Sequence, residues 1–216
     1  AGPVGYCGDG IWDYPEEECD YNNLEYPNRC TENCKRIMRV FVSSQLFTGS
    51  MQGLSSADLI CNELAYSNSE LQHDANGYTS NYKVWLSTNS DAVYQTFIKH
   101  DGPYFRMDGY QVADNWEDLT DGTLDHAMSV TESGLSLGQL AVELQPTNYE
   151  VYTGTRPNGT SNNGEDCNDW WGISYTTTIG SAIGLGETWT MNPPIENEYV
   201  NCSAQRRIYC FEQPNN

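Results

Sequence analysis

The spacing of apolar and polar positions changes character near residue 37. Before that point apolar side chains are scattered and turn signals dominate, as in Gly8-Asp9-Gly10 and Tyr14-Pro15. After it, Ile37, Met38, Val40, Phe41 and Val42 form an apolar, partly β-branched run that predicts a strand. Leu54-Ser55-Ser56-Ala57-Asp58 then predicts a helix start, with Ser55 and Asp58 spaced as in a capping box. Ala57, Ile60, Cys61, Leu64 and Ala65 continue at helical spacing. Tyr82-Lys83-Val84-Trp85-Leu86 predicts a second strand. Asn89-Ser90-Asp91 predicts a cap for a second helix, with Val93, Tyr94, Phe97 and Ile98 on its inner face. Short strands are predicted at Gln111-Val112-Ala113, at Glu150-Val151-Tyr152 and at Arg207-Ile208-Tyr209-Cys210-Phe211. Two helices followed by many short strands predict an α+β fold.

The change of pattern divides the chain into a small module, residues 1–36, and a larger domain, residues 37–216. The eight cysteines divide the same way. Cys7, Cys19, Cys30 and Cys34 crowd the module, while Cys61, Cys167, Cys202 and Cys210 are spread through the domain. The module has too few apolar residues for a core, so crosslinks must hold it. An even count in two sets reads as two disulfide frameworks in a secreted protein. A zinc site is the alternative for the first set. Its one short spacing, Cys30-x3-Cys34, departs from the paired Cys-x2-Cys pattern of zinc ligands.

Charge narrows the partners. Thirty acidic residues against ten Lys and Arg give a net charge of −20. Nucleic acid, heparin-like polyanions and anionic membranes would be repelled. No apolar run is long enough to span a bilayer, so membrane insertion is not expected. No secretory leader is visible, and secretion would imply that one has been removed. The 15 Tyr and 6 Trp, set among Asn, Ser, Thr and Gly, suit an extracellular, loop-rich domain. Asn158-Gly159-Thr160 and Asn201-Cys202-Ser203 are glycosylation sequons.

The acids of the module bracket its cysteines. Asp9, Asp13, Glu18 and Asp20 are candidate ligands for calcium, a hard cation that takes oxygen donors. They equally fit solvated turns. The string CGDGIWDYPEEECDYNN, followed by RCTENCK, resembles a myxobacterial-type cysteine-rich repeat of large secreted bacterial proteins. Tyr21-Asn22-Asn23 departs from that repeat, which has Asp-Gly-Asn there. The repeat carries no established chemistry.

The larger part resembles the endostatin-like branch of the C-type-lectin-like fold, in a family of secreted bacterial domains of uncharacterised function. The resemblance rests on Ser56-Ala57-Asp58-Leu59-Ile60-Cys61, Val84-Trp85-Leu86-Ser87 and Asp114-Asn115-Trp116-Glu117-Asp118-Leu119. It continues through Tyr152-Thr153-Gly154-Thr155-Arg156-Pro157-Asn158-Gly159, Cys167-Asn168-Asp169-Trp170 and Ile208-Tyr209-Cys210-Phe211-Glu212. It implies nested disulfides, Cys61 to Cys210 and Cys167 to Cys202. In the chain-entropy model the outer bond is worth about 4–5 kcal/mol. The resemblance does not extend to the sugar and calcium site of C-type lectins. Gln145-Pro146-Thr147 lacks the third carbonyl side chain, and in Asn168-Asp169-Trp170 the Trp follows rather than precedes the pair. Heparin binding by basic residues is not carried over either.

No His-Glu-x-x-His or Gly-x-Ser-x-Gly motif is present, and full disulfide bonding would leave no thiolate nucleophile. His73, His100 and His126 show no catalytic pattern, so the chain reads as non-enzymatic. Residues 155–171, TRPNGTSNNGEDCNDWW, are the candidate ligand surface. Asn158, Asn162, Asn163, Asp166, Asn168 and Asp169 offer adaptable hydrogen bonds, and Trp170 and Trp171 offer stacking faces. A structural loop with both tryptophans, or at least one of them, in the core is the competing reading. Two functions remain open: a secreted recognition or adhesion module for an extracellular glycan or protein, or a structural subunit of a filament or surface assembly made with copies of itself.

Overall fold

A computed structural model describes residues 6–25, 28–140, 149–162, 165–191 and 200–215. The first strand, β1 (Met38–Val42), leads into α1 (Leu54–Tyr66) and then β2 (Asn81–Val84). A one-turn helix α2 (Val93–Thr96) precedes β3 (Tyr104–Arg106), β4 (Gln111–Ala113), α3 (Trp116–Leu119) and α4 (Leu137–Leu140). The strands β5 (Glu150–Tyr152), β6 (Thr176–Thr177), β7 (Ile179–Ser181), β8 (Val200–Asn201) and β9 (Tyr209–Gln213) complete the order. The main sheet has five strands in the order β2-β9-β1-β3-β4. Only β1 and β3 run parallel, so the sheet is mixed. Two-stranded ribbons, β5 with β7 and β6 with β8, lie outside it.

Strand alternation sends side chains to opposite faces of this sheet. On one face Met38, Val40, Val42, Tyr209 and Phe211 join an aromatic core around Trp85. The Trp85 ring lies 4.8 Å from Trp189 and 5.1 Å from Phe211, centroid to centroid. Its Nε1 donates to Thr190 Oγ1 at 2.7 Å, so the buried indole keeps a partner. On the other face Phe41, Tyr82, Val84 and Cys210 pack with Ala57, Cys61, Leu64 and Ala65 of α1. The apolar positions read at helical spacing therefore face the sheet, except that Ile60 is only partly buried.

Two local expectations change. No side chain caps α1; Gly53 is its N-cap, and Asp58 instead accepts from Val84 N at 2.9 Å. Four residues later, Asn62 brackets Tyr82, accepting from its N and donating to its O. These two side chains cover the free edge of β2, whose backbone would otherwise be unpaired. The predicted second helix is one turn long. Val93 and Phe97 are buried, but the backbone turns extended at Phe97 and leaves Ile98 exposed.

The four disulfides keep the two cysteine sets apart: Cys7–Cys34 and Cys19–Cys30, then Cys61–Cys210 and Cys167–Cys202. The last two are the pairs that the resemblance implies. All eight cysteines are bonded, so no zinc thiolates are available. The small module is nevertheless fixed to the domain. Arg29 enters a buried ion pair with Glu212 of β9, and Ser80 Oγ donates to the same carboxylate at 2.6 Å. Asn76 Nδ2 donates to Glu18 O, and Lys35 bridges Glu18 and Asp101. Among the described residues, no helix is long and apolar enough to cross a membrane.

Candidate functional site

The segment 155–171 folds around a strained turn. Cys167, Asn168, Asp169 and Trp170 have φ of 54°, 57°, 54° and 62°, a single helical turn wound left-handed. L-residues avoid this region at a cost of about 1–2 kcal/mol each, and rarely adopt it in succession. The surroundings enforce it. Cys167 is bonded to Cys202, and the Asp166 carboxylate accepts from Asp169 N at 3.0 Å and Asn89 N at 3.2 Å. Trp170 O accepts from Met51 N and Gly53 N.

This geometry separates residues that the sequence groups together. Trp170 is fully buried, packs edge-on against Tyr152 and donates from Nε1 to Ser87 O at 3.0 Å. It belongs to the core, and the expectation that it faces a ligand is corrected. Asp166 is also buried and serves the turn. Asn162 is half-buried, accepting from Arg156 Nε and donating toward Glu165 and Thr178. Asn158 is exposed, but its Oδ1 is taken by Thr160 N and Oγ1. Asn163 and Gln145-Pro146-Thr147 lie outside the described residues. The turn displays Asn168, Asp169 and Trp171 outward, and Trp171 is 60% exposed.

Asp169 and Trp171 border an open cleft of about 710 Å³. Its other walls are the start of α1, strand β2 and the segment 88–97 that carries α2, which contribute Ser55, Lys83, Thr88 and Asp91. This volume lies within the usual range of small-ligand sites. Partial burial raises the Asp169 carboxyl above the usual range, and the carboxylates of Asp166 and Asp91 push it the same way. Trp171 rests on Gly53, where φ is +86° and a Cβ would come within 2.9 Å of the indole Nε1. Ser50 Oγ donates to Trp171 O at 3.0 Å. The segment 49–53 is thus part of the site, and sequence reasoning missed it. The available signal was the glycine pair Gly49 and Gly53 in a segment with no other assignment.

The acids of the small module do other work. Asp20 is buried and accepts from Gly8 N and Gly10 N with Oδ2 and from Asn22 N with Oδ1. Asp9 accepts from Ile11 N, and Glu18 is bound by Lys35 Nζ and Arg36 N. Among the described residues, no three of Asp9, Asp13, Glu18 and Asp20 bring their oxygens within 4.8 Å of one another. As a set they do not fit a calcium cage, which needs six to eight converging oxygens. Glu18 lies instead near His100 and Asp101, with the ammonium of Lys35 bonded to both carboxylates. His100 Nε2 is hydrogen-bonded to Arg36 O, and burial lowers its pKa. His126 is exposed, with Nδ1 bonded to Gln111 O. Asn201 of the second sequon is exposed, and its Oδ1 accepts from Ser203 N.

No family model matches the chain, and no curated protein matches it.

Proposed function

We propose that this chain is a secreted, non-enzymatic recognition or adhesion module, with an extracellular glycan as the ligand of the Trp171 cleft. Four disulfides support an oxidising compartment. The endostatin-like, C-type-lectin-like assignment of residues 37–216 is part of the same proposal. The observed mixed sheet, long first helix and nested bonds are compatible with it.

The observation that carries the reading is an exposed indole lying over Gly53 beside a polar cleft. A sugar presents an apolar C–H face and a rim of hydroxyls. Trp171 offers a flat apolar surface for the first, while Asp169, Asp91, Thr88 and Ser55 offer hydrogen bonds for the second. The strained turn fixes the ring before binding, which limits the entropy lost. Glycan-array binding by the intact chain tests this. Trp171→Ala should abolish the signal and leave the melting temperature unchanged. Retained binding in that variant would refute the site.

A second reading, a structural subunit of an extracellular filament or surface layer, is favoured by a different observation. Trp171, Ile173 and Tyr175 are each about half exposed or more, at 60%, 49% and 51%. They give the segment that follows the turn an apolar character that suits a neighbouring copy. Under that reading, sedimentation of the wild type shows assembly, and Trp171→Ala gives monomers.

A further inference from the structure

A second cleft lies where the small module meets the domain. It holds about 660 Å³ and is lined by aromatic rings from both parts. Trp12 and Tyr14 come from the module and Tyr78 from the domain. The Trp12 ring stands 6.1 Å from Tyr14 at 61° and 6.0 Å from Tyr78 at 81°. Steeply inclined rings at this spacing form the walls of a corner rather than a flat stack. Tyr14 is 77% exposed and Tyr78 is 54% exposed, so neither ring is consumed by the core. Trp12 is held in place by its Nε1 donating to Glu17 O at 3.1 Å.

The charges at this cleft are unequal in their compensation. Glu18 is paired with Lys35 Nζ at 2.7 Å. Arg36 gives both terminal nitrogens to Asn215 O at 3.1 Å and lies 3.6 Å from Asp74. Glu17 has no cationic partner among the described residues. One oxygen accepts from Asp13 N at 3.1 Å, and the other, Oε2, is buried without a hydrogen-bond partner. Glu17 is only 8% exposed. Desolvation raises its pKa, and Asp20, Asp9 and Asp13 add to the negative field around it.

We propose that this junction cleft binds a quaternary ammonium group, with Trp12, Tyr14 and Tyr78 as its aromatic walls and Glu17 as its counter-charge. Aromatic faces attract cations through their quadrupole, and the effect grows as the cation loses water. The Glu17 oxygen that lacks a partner is covered, so it offers charge rather than a hydrogen bond. A methylated ammonium needs no hydrogen bond, so it can rest against the rings and take only the charge of Glu17. The site is separate from the Trp171 cleft and stands independently of the glycan reading.

The test is calorimetric titration of the full chain with tetramethylammonium chloride at fixed ionic strength. Phosphocholine and a trimethyllysine amide serve as further arms, distinguishing a lipid-type headgroup from a modified side chain. An uncharged tert-butyl alcohol is the isosteric control. Saturable binding of at least one cation is expected, with no saturation by the isostere. Tyr14→Ala, Tyr78→Ala and Glu17→Gln should each weaken it about three- to thirty-fold, and Trp171→Ala should leave it unchanged. Circular dichroism confirms that each variant is folded. Tyr14 and Tyr78 are exposed enough to be replaced if Glu17→Gln fails to fold. Equal binding of the neutral isostere, absence of saturation with every cation, or full affinity in both tyrosine variants would overturn the proposal.

Discussion

Replacing Arg29 by methionine should loosen the attachment of the small module more than any other single change to it. Arg29 and Glu212 are both buried, at 5% and 1% side-chain exposure. Burial works against the guanidinium charge, but Glu212, with smaller help from Tyr82 and Asp74, more than offsets that effect and raises its pKa. Arg29→Met keeps the apolar stem but leaves the Glu212 carboxylate with Ser80 Oγ at 2.6 Å and Arg39 N at 2.9 Å. Breaking a buried pair from one side typically costs about 3–5 kcal/mol, because the remaining charge is stranded. Here the cost should fall near the lower end. Arg39 is a second cation close to Glu212, held below its usual pKa by burial and by Arg29 itself.

A loss of about 3 kcal/mol in a chain of 216 residues corresponds to a drop of roughly 6–12 °C in Tm. Differential scanning calorimetry reads this directly. Hydrogen exchange at Cys30 and Arg36 locates it, since these residues form a bridge within the module. The double variant Arg29→Met, Glu212→Leu removes both charges and should regain most of the loss. A Tm change under about 2 °C in the single variant would refute the reasoning. So would a double variant whose loss equals the sum of the two single losses.

Further changes at four positions probe the cleft and the sheet edge. Trp170→Ala should cost about 3–5 kcal/mol by chemical denaturation, as a fully buried indole, whereas Trp171→Ala should stay within about 0.5 kcal/mol. Gly53→Ala should cost about 1–2 kcal/mol, because φ is +86° there; it should also displace Trp171 and reduce glycan binding as Trp171→Ala does. Burial holds the Asp58 carboxyl above its ordinary range, although the Val84 N–H opposes this. The folded state therefore binds that proton more tightly than the unfolded chain, and stability from this group falls as pH rises above the ordinary carboxylate pKa. Asp58→Asn keeps an acceptor for Val84 and should flatten that fall, while Asp58→Ala should lose about 1–3 kcal/mol at all pH values.

The central strands were legible in the sequence because their burial is two-sided. Met38–Val42 and Tyr209–Phe211 are nearly continuous apolar runs, as expected for strands covered on both faces. Strand β3 was not legible. Tyr104, Phe105 and Arg106 show no period, and their strand character comes from parallel pairing with β1, a contact across more than sixty residues. The turn at α3 was visible only through Asn115, which caps it by accepting from Asp118 N. The cap predicted for α1 failed for a related reason. Asp58 has the spacing of a capping residue, yet it meets an unpaired strand edge whose Val84 N–H has no alternative partner, and tertiary demand prevailed over local preference.

At the candidate site, the polar composition of residues 155–171 marked an outer loop, but composition carries no information about direction. Trp170 and Trp171 are adjacent and chemically identical, yet one points inward and the other outward. The left-handed winding of Cys167–Trp170 is set by a disulfide to Cys202, by Asp166, and by Trp170 O receiving two amides from residues more than a hundred positions earlier. None of these is a local preference of Asn168 or Asp169. A strained segment held by distant contacts persists only when the surrounding fold over-determines it. The disulfide, the small residues at Gly49 and Gly53, and the buried Trp170 are then one device, whose product is a single exposed indole in a fixed orientation.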